Sequence, residues 1–182
     1  DIYIYRLSSD SFPWMSEDEF EDLPNFNKIQ SLLLDIGDKV KSNSIRVSYH
    51  PGPFNVLASE NEAVVLKTIK ELNKHAEIMD LMGLEQNTFY PINIHINTTK
   101  PTREEAAQRF VDRFSELTES CKKRLTIEND DSPNQYSVKM LHDWLHKKIG
   151  IPVVFDQHHF LYGPQDQSME DAIKLAYSTW NT

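Results

Sequence analysis

The sequence predicts an α/β protein built on parallel strands, of the TIM-type (β/α) barrel class. Three observations carry this. Short β-branched or aromatic runs alternate five times with longer segments of helical period, the pattern of strands joined by helical crossovers. No strand candidate is followed by a glycine-rich phosphate loop. With five glycines in all, neither a dinucleotide fingerprint nor a Walker loop is present, which moves the choice from an open doubly wound sheet to a barrel. The 182 residues, 39% hydrophobic and 26% charged, suit one globular domain, 1–182, with an ordinary core. An eight-unit barrel typically needs about 200 residues or more. The prediction is therefore an incomplete barrel of about five units.

The strand candidates are IYIYRL (2–7), IRVSY (45–49), FYPINIHI (89–96), RLTIE (124–128) and PVVF (152–155). After the first comes DSFPWMSEDEFEDLPNFN (10–27), irregular and rich in acids and aromatics, and long enough to cover something rather than merely turn. A helix is expected over about 25–37, with Ile29, Leu32, Leu33 and Ile36 apolar. The clearest helix runs over about 60–82, where Val65, Ile69, Leu72, Ala76 and Met79 line one face. Ser59 and Glu62 form a capping box at its start and Gly83 ends it. Thr102 and Glu105 repeat the capping pattern before a helix with Ala107, Phe110, Phe114, Leu117 and Cys121 inward, ending near Arg124. Helices over about 137–148, with Val138, Leu141, Trp144 and Leu145 inward, and about 169–178, opened by Ser168, complete the alternation. His75, His142 and His146 fall within helices and are expected on their surfaces. The last two, at i and i+4, lack the Glu of a zincin helix.

A net charge of −9 and a pI near 5.2 argue against a protein that grips nucleic acid mainly through a basic face. They are compatible with a metal enzyme on nucleic acid, because bound cations change the local field. Cys121 is the only cysteine, so neither a disulfide nor a cysteine-rich zinc module forms within one chain. It is expected in the core, in a reducing, intracellular compartment. No run of about 18 apolar residues is present, and DIYIYRLSSD lacks the basic start and apolar middle of a signal peptide. A soluble protein without a membrane partner is expected.

In a parallel barrel every strand delivers its C-terminal end to one face, where the site forms. His50 follows strand 45–49, His95 lies in 89–96, Glu128 ends 124–128, and Asp156 follows 152–155 with His159 three residues on. Each alone is more often a hydrogen-bonded or solvated side chain, Glu128 as a loop acid and Asp156 as a turn cap. Four consecutive strands bringing imidazole or carboxylate to one rim call for a common cause, and a metal cluster supplies it. Imidazole and carboxylate without thiolate suit Mn, Zn, Fe or Co better than Mg or Ca. Such ions lower the pKa of bound water and clamp the oxygens of a phosphoryl group or a sugar.

RLSSDSFPW (6–14), HPGPFNVLAS (50–59), INIHI (92–96), RLTIENDD (124–131) and IPVVFDQHH (151–159) resemble, in order and across nearly the whole chain, the UV-damage endonucleases of the endonuclease IV-like barrel group. The resemblance implies a DNA-repair enzyme that hydrolyses the phosphodiester 5′ to ultraviolet photoproducts in double-stranded DNA. It implies divalent ions, manganese first, with zinc, cobalt or magnesium as alternatives. It carries the family's ligands onto His50, His95, Glu128, Asp156 and His159, gives Glu128 and Asp156 the catalytic part, and leaves His158 without a role. Where many members have a further histidine after FPW this chain reads MSEDEF, so Glu17 is the nearest candidate ligand. The Gln-Tyr pair that wedges into the duplex in some members is Pro53–Phe54 here, which keeps apolar wedging and loses hydrogen bonding. The family's HxGG is HINT at this point, implying a looser backbone approach near Asn97. The likeness starts at the family's second strand and ends at LAYSTW (175–180), so the first and last two strands of the family's barrel lack counterparts. Exposed strand edges then invite self-association. Two other readings stand beside this one. A metal-dependent sugar isomerase or epimerase of the same barrel group is opposed by RLSSDSFPW and HPGPF; the other is a non-catalytic metal-binding fragment.

Overall fold

A computed structural model describes residues 2–12 and 17–180. Among the described residues, five strands form one sheet in chain order, each pair parallel: β1 Ile4–Leu7, β2 Arg46–Tyr49, β3 Ile92–Ile94, β4 Leu125–Glu128 and β5 Val153–Val154. Parallel neighbours need long crossovers, and helices supply them here, so the wall curves as an incomplete α/β barrel. The two-residue period of each strand sorts its side chains onto two faces. Val47, Tyr49, Ile92, Ile94, Leu125, Ile127 and Val153 face outward and are buried in one core with the helices. The alternate residues Arg46, Ser48, Asn93, Thr126, Glu128 and Val154 line the concave inner face with Arg6 of β1. β4 is buried along its whole length, whereas Ile4 and Tyr5 on the edge strand β1 remain exposed.

The helices are α1 Phe26–Ser42, α2 Glu62–Leu81, α3 Arg103–Phe114, α4 Glu119–Arg124, α5 Val138–Leu141, α6 Lys147–Ile149, α7 Gln157–Tyr162 and α8 Met169–Ser178. α1 runs beyond the expected end, and Gly37 lets it meet the end of α2: a Cβ there would lie 1.7 Å from the Met82 carbonyl oxygen. Gly83 closes α2 with φ +67°, as expected. The start of α2 differs. Asn61 is its cap, accepting from the Ala63 amide at 3.0 Å, while Ser59 Oγ accepts from the Asn61 amide at 3.1 Å.

The single helix expected from Thr102 to Arg124 is two. Thr102 caps α3 through the Glu105 amide (3.2 Å) as expected, but Thr118 then caps α4 through the Cys121 amide (3.3 Å). Asn73 Oδ1 accepts from the Thr118 amide at 3.0 Å and fixes this second start, so a tertiary contact overrides the continuous apolar stripe. Between α5 and α6 the helix widens to a π turn, His142–His146. It stacks the two imidazoles at 5.4 Å and aims His146 Nδ1 at the Ile151 carbonyl (3.0 Å), so both are partly buried rather than on an open surface. The strand expected over 89–96 shrinks to β3, with Phe89 and Tyr90 in the preceding turn.

His75, expected on the surface of α2, is fully buried. Its Nδ1 donates to the Glu71 carbonyl (2.7 Å), so Nε2 accepts from the Ser9 hydroxyl (2.8 Å), and the ring meets Tyr49 edge-on at 4.6 Å. Burial lowers its pKa and keeps it neutral. Cys121 is in the core, where burial pushes its thiol up to about 12. In the irregular stretch the 3₁₀ turn Phe20–Asp22 buries Phe20, under which the Lys74 ammonium lies 4.7 Å from the ring. Residues 13–16 of that stretch, including the proline and tryptophan of FPW, lie outside the described residues. Among the described residues no helix is long and apolar enough to cross a membrane.

Candidate metal centre

The inner-face parity that places Asn93 and Thr126 inside the wall carries two residues further to the rim. Ile94 pairs with Ile127, which sets His95 beside Glu128. Tyr49 pairs with Ile92, which sets His50 beside Asn93. Glu128 is only 6% exposed and stands at the centre. Its Oε1 lies 3.6 Å from His95 Nε2 and 3.2 Å from His159 Nδ1; its Oε2 lies 3.6 Å from His50 Nε2 and accepts from Asn93 Nδ2. Thr126 Oγ1 donates to Asn93 Oδ1 at 2.9 Å and holds that amide in place.

The five strand-end residues come together as two groups, His50/His95/Glu128 and Glu128/Asp156/His159, with Glu128 in both. Within each group one donor atom per residue lies within 4.8 Å of the others. Burial by itself would raise the Glu128 pKa, but His50, His95 and Asn93 outweigh it and hold the carboxyl below its ordinary range. Burial would lower the His95 pKa, and Asp130 with Glu128 reverses the sign. His95 Nδ1 lies 3.1 Å from Asp130 Oδ1, yet the approach is out of line and the buried nitrogen has no aligned hydrogen bond. A buried carboxylate facing three imidazoles across gaps of 3.2–3.6 Å is a donor set that fits a divalent cation of the Mn, Fe, Co or Zn type.

Asp156 does two things. It caps α7, its Oδ1 accepting from the His159 amide at 2.8 Å, and it presents its carboxylate to the second group. Turn cap and candidate ligand are thus one residue. Glu17 is in neither group; its exposed carboxylate faces Lys67 at 3.6 Å. His158 is exposed and tilted against Tyr162 at 5.0 Å. On the loop after His50, Phe54 is 89% exposed and does not pack on Val56 or Leu57. Asn97 adopts φ +60°, a left-handed backbone that asparagine tolerates, so the loop keeps a glycine-type conformation without glycine. Three residues of the site escape a reading of strand ends: Asn93, Asn129 and Asp130. Asn93 was within reach, since it shares the inner face with His95 two residues on.

The sequence pattern of the family described as "UV-endonuclease UvdE" matches residues 1–182. The chain belongs to this family. Among UV-endonuclease relatives, a UV DNA damage endonuclease of Clostridium perfringens is 33% identical over 181 residues, covering 99% of this chain and 42% of that protein. One of Bacillus cereus (strain G9842) is 29% identical, covering 100% of this chain and 55% of the relative. The crystal structure of SacUVDE superposes with a TM-score of 0.88 at 40% identity, over 99% of this chain and 60% of that one. The chain thus spans about half the length of the relatives it matches. A D-psicose 3-epimerase matches at TM-score 0.66 and 16% identity over 95% of this chain and 59% of its own, a likeness of barrel fold alone.

Proposed function

We propose that residues 1–182 form one structural unit, the metal-binding wall of a DNA-repair endonuclease that hydrolyses the phosphodiester 5′ to ultraviolet photoproducts in duplex DNA. The observation that carries this is Glu128, a buried carboxylate shared by two ligand groups on the rim of a chain of the UV-endonuclease family. His50, His95 and Glu128 would hold one divalent ion and Glu128, Asp156 and His159 another, with manganese the preferred metal and zinc, cobalt or magnesium as alternatives. Bound there, such ions neutralise phosphoryl oxygens and lower the pKa of water.

The chain's own side chains fix the rest. Glu128 is held without its proton, so both oxygens are available, one to each group. Asp156 commits Oδ1 to capping α7, which leaves Oδ2 for the site. Asp130 and Asp131 add further negative charge around the cleft, so cations must be in place before a polyanion approaches, which reconciles a net charge of −9 with a DNA substrate. Phe54, with Pro53 before it, offers a bare ring on the same rim for insertion beside the lesion.

The test is Glu128→Gln, which keeps the shape and removes the shared anion. Manganese uptake by this chain, followed by calorimetry, should be lost. In a chain extended to the length of its relatives, manganese-dependent cleavage of an irradiated duplex should fall by at least about a hundredfold, with the circular dichroism spectrum retained. Unchanged uptake and cleavage would remove Glu128 from the role.

A further inference from the structure

The two residues after Glu128 are as buried as Glu128 itself, and nothing in the ligand set accounts for them: Asn129 is 2% exposed and Asp130 5%. Buried polar side chains are retained where they are satisfied, and each of these is satisfied by a different half of the site. β5 pairs with β4 for only two residues, ending at Glu128 opposite Val154. Beyond that point the Asn129 side chain supplies a further rung. Its Oδ1 accepts from the Asp156 amide at 2.8 Å and its Nδ2 donates to the Asp156 carbonyl at 3.1 Å. The Asn129 carbonyl accepts from His159 Nδ1 at 2.9 Å. One residue therefore sets the backbone of Asp156 and the ring of His159.

Asp130 faces the other way. Its amide donates to the Tyr136 carbonyl at 3.0 Å and its Oδ2 accepts from the Tyr136 amide at 3.2 Å, which leaves Oδ1 beside His95 Nδ1 at 3.1 Å. The segment is also fixed from above. A Cβ on Gly163, at the end of α7, would come within 2.3 Å of the Asp130 carbonyl oxygen, so only glycine lets α7 sit there.

We infer that Asn129 and Asp130 are positioning residues that set the two halves of the site separately, Asn129 the Asp156/His159 half and Asp130 the His95 half. The inference rests on the metal reading of the site. An imidazole whose second nitrogen is held by a carboxylate or carbonyl binds metal in a fixed tautomer and orientation, and loss of such a partner typically weakens the metal about 10–100-fold; His159 has such a hydrogen bond, and His95 has an ion-pair contact with Asp130 in its place. The side-chain rung also explains why β5 stays so short: an amide side chain offers the same donor and acceptor as a peptide without adding a residue to the strand.

The experiment is a manganese titration of the folded chain by calorimetry and electron paramagnetic resonance. Asn129→Ala and Asp130→Asn are compared with wild type, and His159→Ala and His95→Ala serve as references for the two halves. Wild type should take up two ions. Asn129→Ala keeps the backbone carbonyl that meets His159 but removes the rung that sets Asp156, and through Asp156 it should weaken by about 10–100-fold the ion that His159→Ala loses and leave the other within about threefold; Asp130→Asn should do the reverse, on the ion that His95→Ala loses. The double variant Asn129→Ala/His159→Ala should be no weaker than His159→Ala alone, because the two act on one ion. Should Asn129→Ala fail to fold by circular dichroism, Asn129→Ser carries the test, since it keeps a neutral polar side chain that is too short to make both bonds of the rung. Equal weakening of both ions by either variant, or wild-type isotherms for both, overturns the assignment while leaving the metal reading intact. A wild-type chain that takes up no manganese overturns the metal reading and this inference with it.

Discussion

His75 and His95 are both enclosed imidazoles, one behind the sheet and one at its rim, and their surroundings drive them in opposite directions. His75 meets a serine hydroxyl, a helix carbonyl and the edge of Tyr49. None of these offers a full negative charge at contact distance, so burial wins and the ring stays neutral. His95 meets Asp130 at 3.1 Å and Glu128 at 3.6 Å, with His50 and His159 rings within 5.4 Å, and the carboxylates reverse the effect of burial. Enclosure makes an imidazole a structural part. Enclosure beside buried carboxylates makes it part of a candidate cation site.

Truncation should break the two regions apart by the largest margin. His75→Ala leaves a cavity and strands the Ser9 hydroxyl, and should cost about 3 kcal/mol in metal-free chemical denaturation. Manganese at about a hundred times the dissociation constant should add about 2.7 kcal/mol per bound ion to wild type and the same to His75→Ala, because the ions bind at the rim. Glu128→Gln should show no such gain at any manganese concentration. If His75→Ala also loses the manganese gain, the two regions are one cooperative site and the contrast is wrong.

The pH dependence of stability sharpens the contrast with a smaller effect. The folded-state pKa of His75 lies below its ordinary value of 6.5, so the unfolded chain takes the proton first. Its contribution is complete above pH 6.5 and is lost as pH falls below that value. Urea unfolding in chelator between pH 7.5 and about 5 should therefore lose more stability on acidification in wild type than in His75→Gln, the opposite contribution of His95 being common to both. Equal slopes in the two proteins would mean that His75 is already protonated, or accessible, in the native state.

The rim was legible in the sequence because a strand's period of two and a parallel sheet's single polarity leave few places for its end residues to go. His50, His95, Glu128 and Asp156 could be placed from those rules alone, and the resemblance to the UV-damage endonucleases chose His159 over His158. What escaped depends on partners distant in the chain. His75 lies next to Ala76 on the flank of the α2 stripe, and Ser9, from the loop after β1, and Tyr49 of β2 close over that flank. Thr118 starts a helix because Asn73 holds it, and no local pattern announces Asn73. α7 spans six residues, too short for a helical period to declare itself. No strand-end rule singles out Asn129 and Asp130, and their contacts exist only once Asp156, Tyr136 and His95 close around them.

The smallest expected change in stability belongs to the rim's most exposed aromatic. Tyr49 and Phe54 stand five residues apart, at 1% and 89% exposure, so the chain passes from a core ring to a bare one within a single loop. A ring left in water has no packing duty, and Phe54→Ala should shift stability by less than about 0.5 kcal/mol. Stacking on a base is worth about 1–3 kcal/mol by alanine substitution, so the same change should weaken binding to an irradiated duplex by roughly five- to a hundredfold. Since Phe54 has no polar group with which to read a base, that loss should be similar whichever bases flank the lesion. Fluorescence anisotropy on the variant, in a chain extended to the length of its relatives and with manganese present, measures it. A stability loss of several kcal/mol with unchanged affinity would return Phe54 to the core side of the comparison; unchanged stability with weakened binding would make it the rim's contact with DNA.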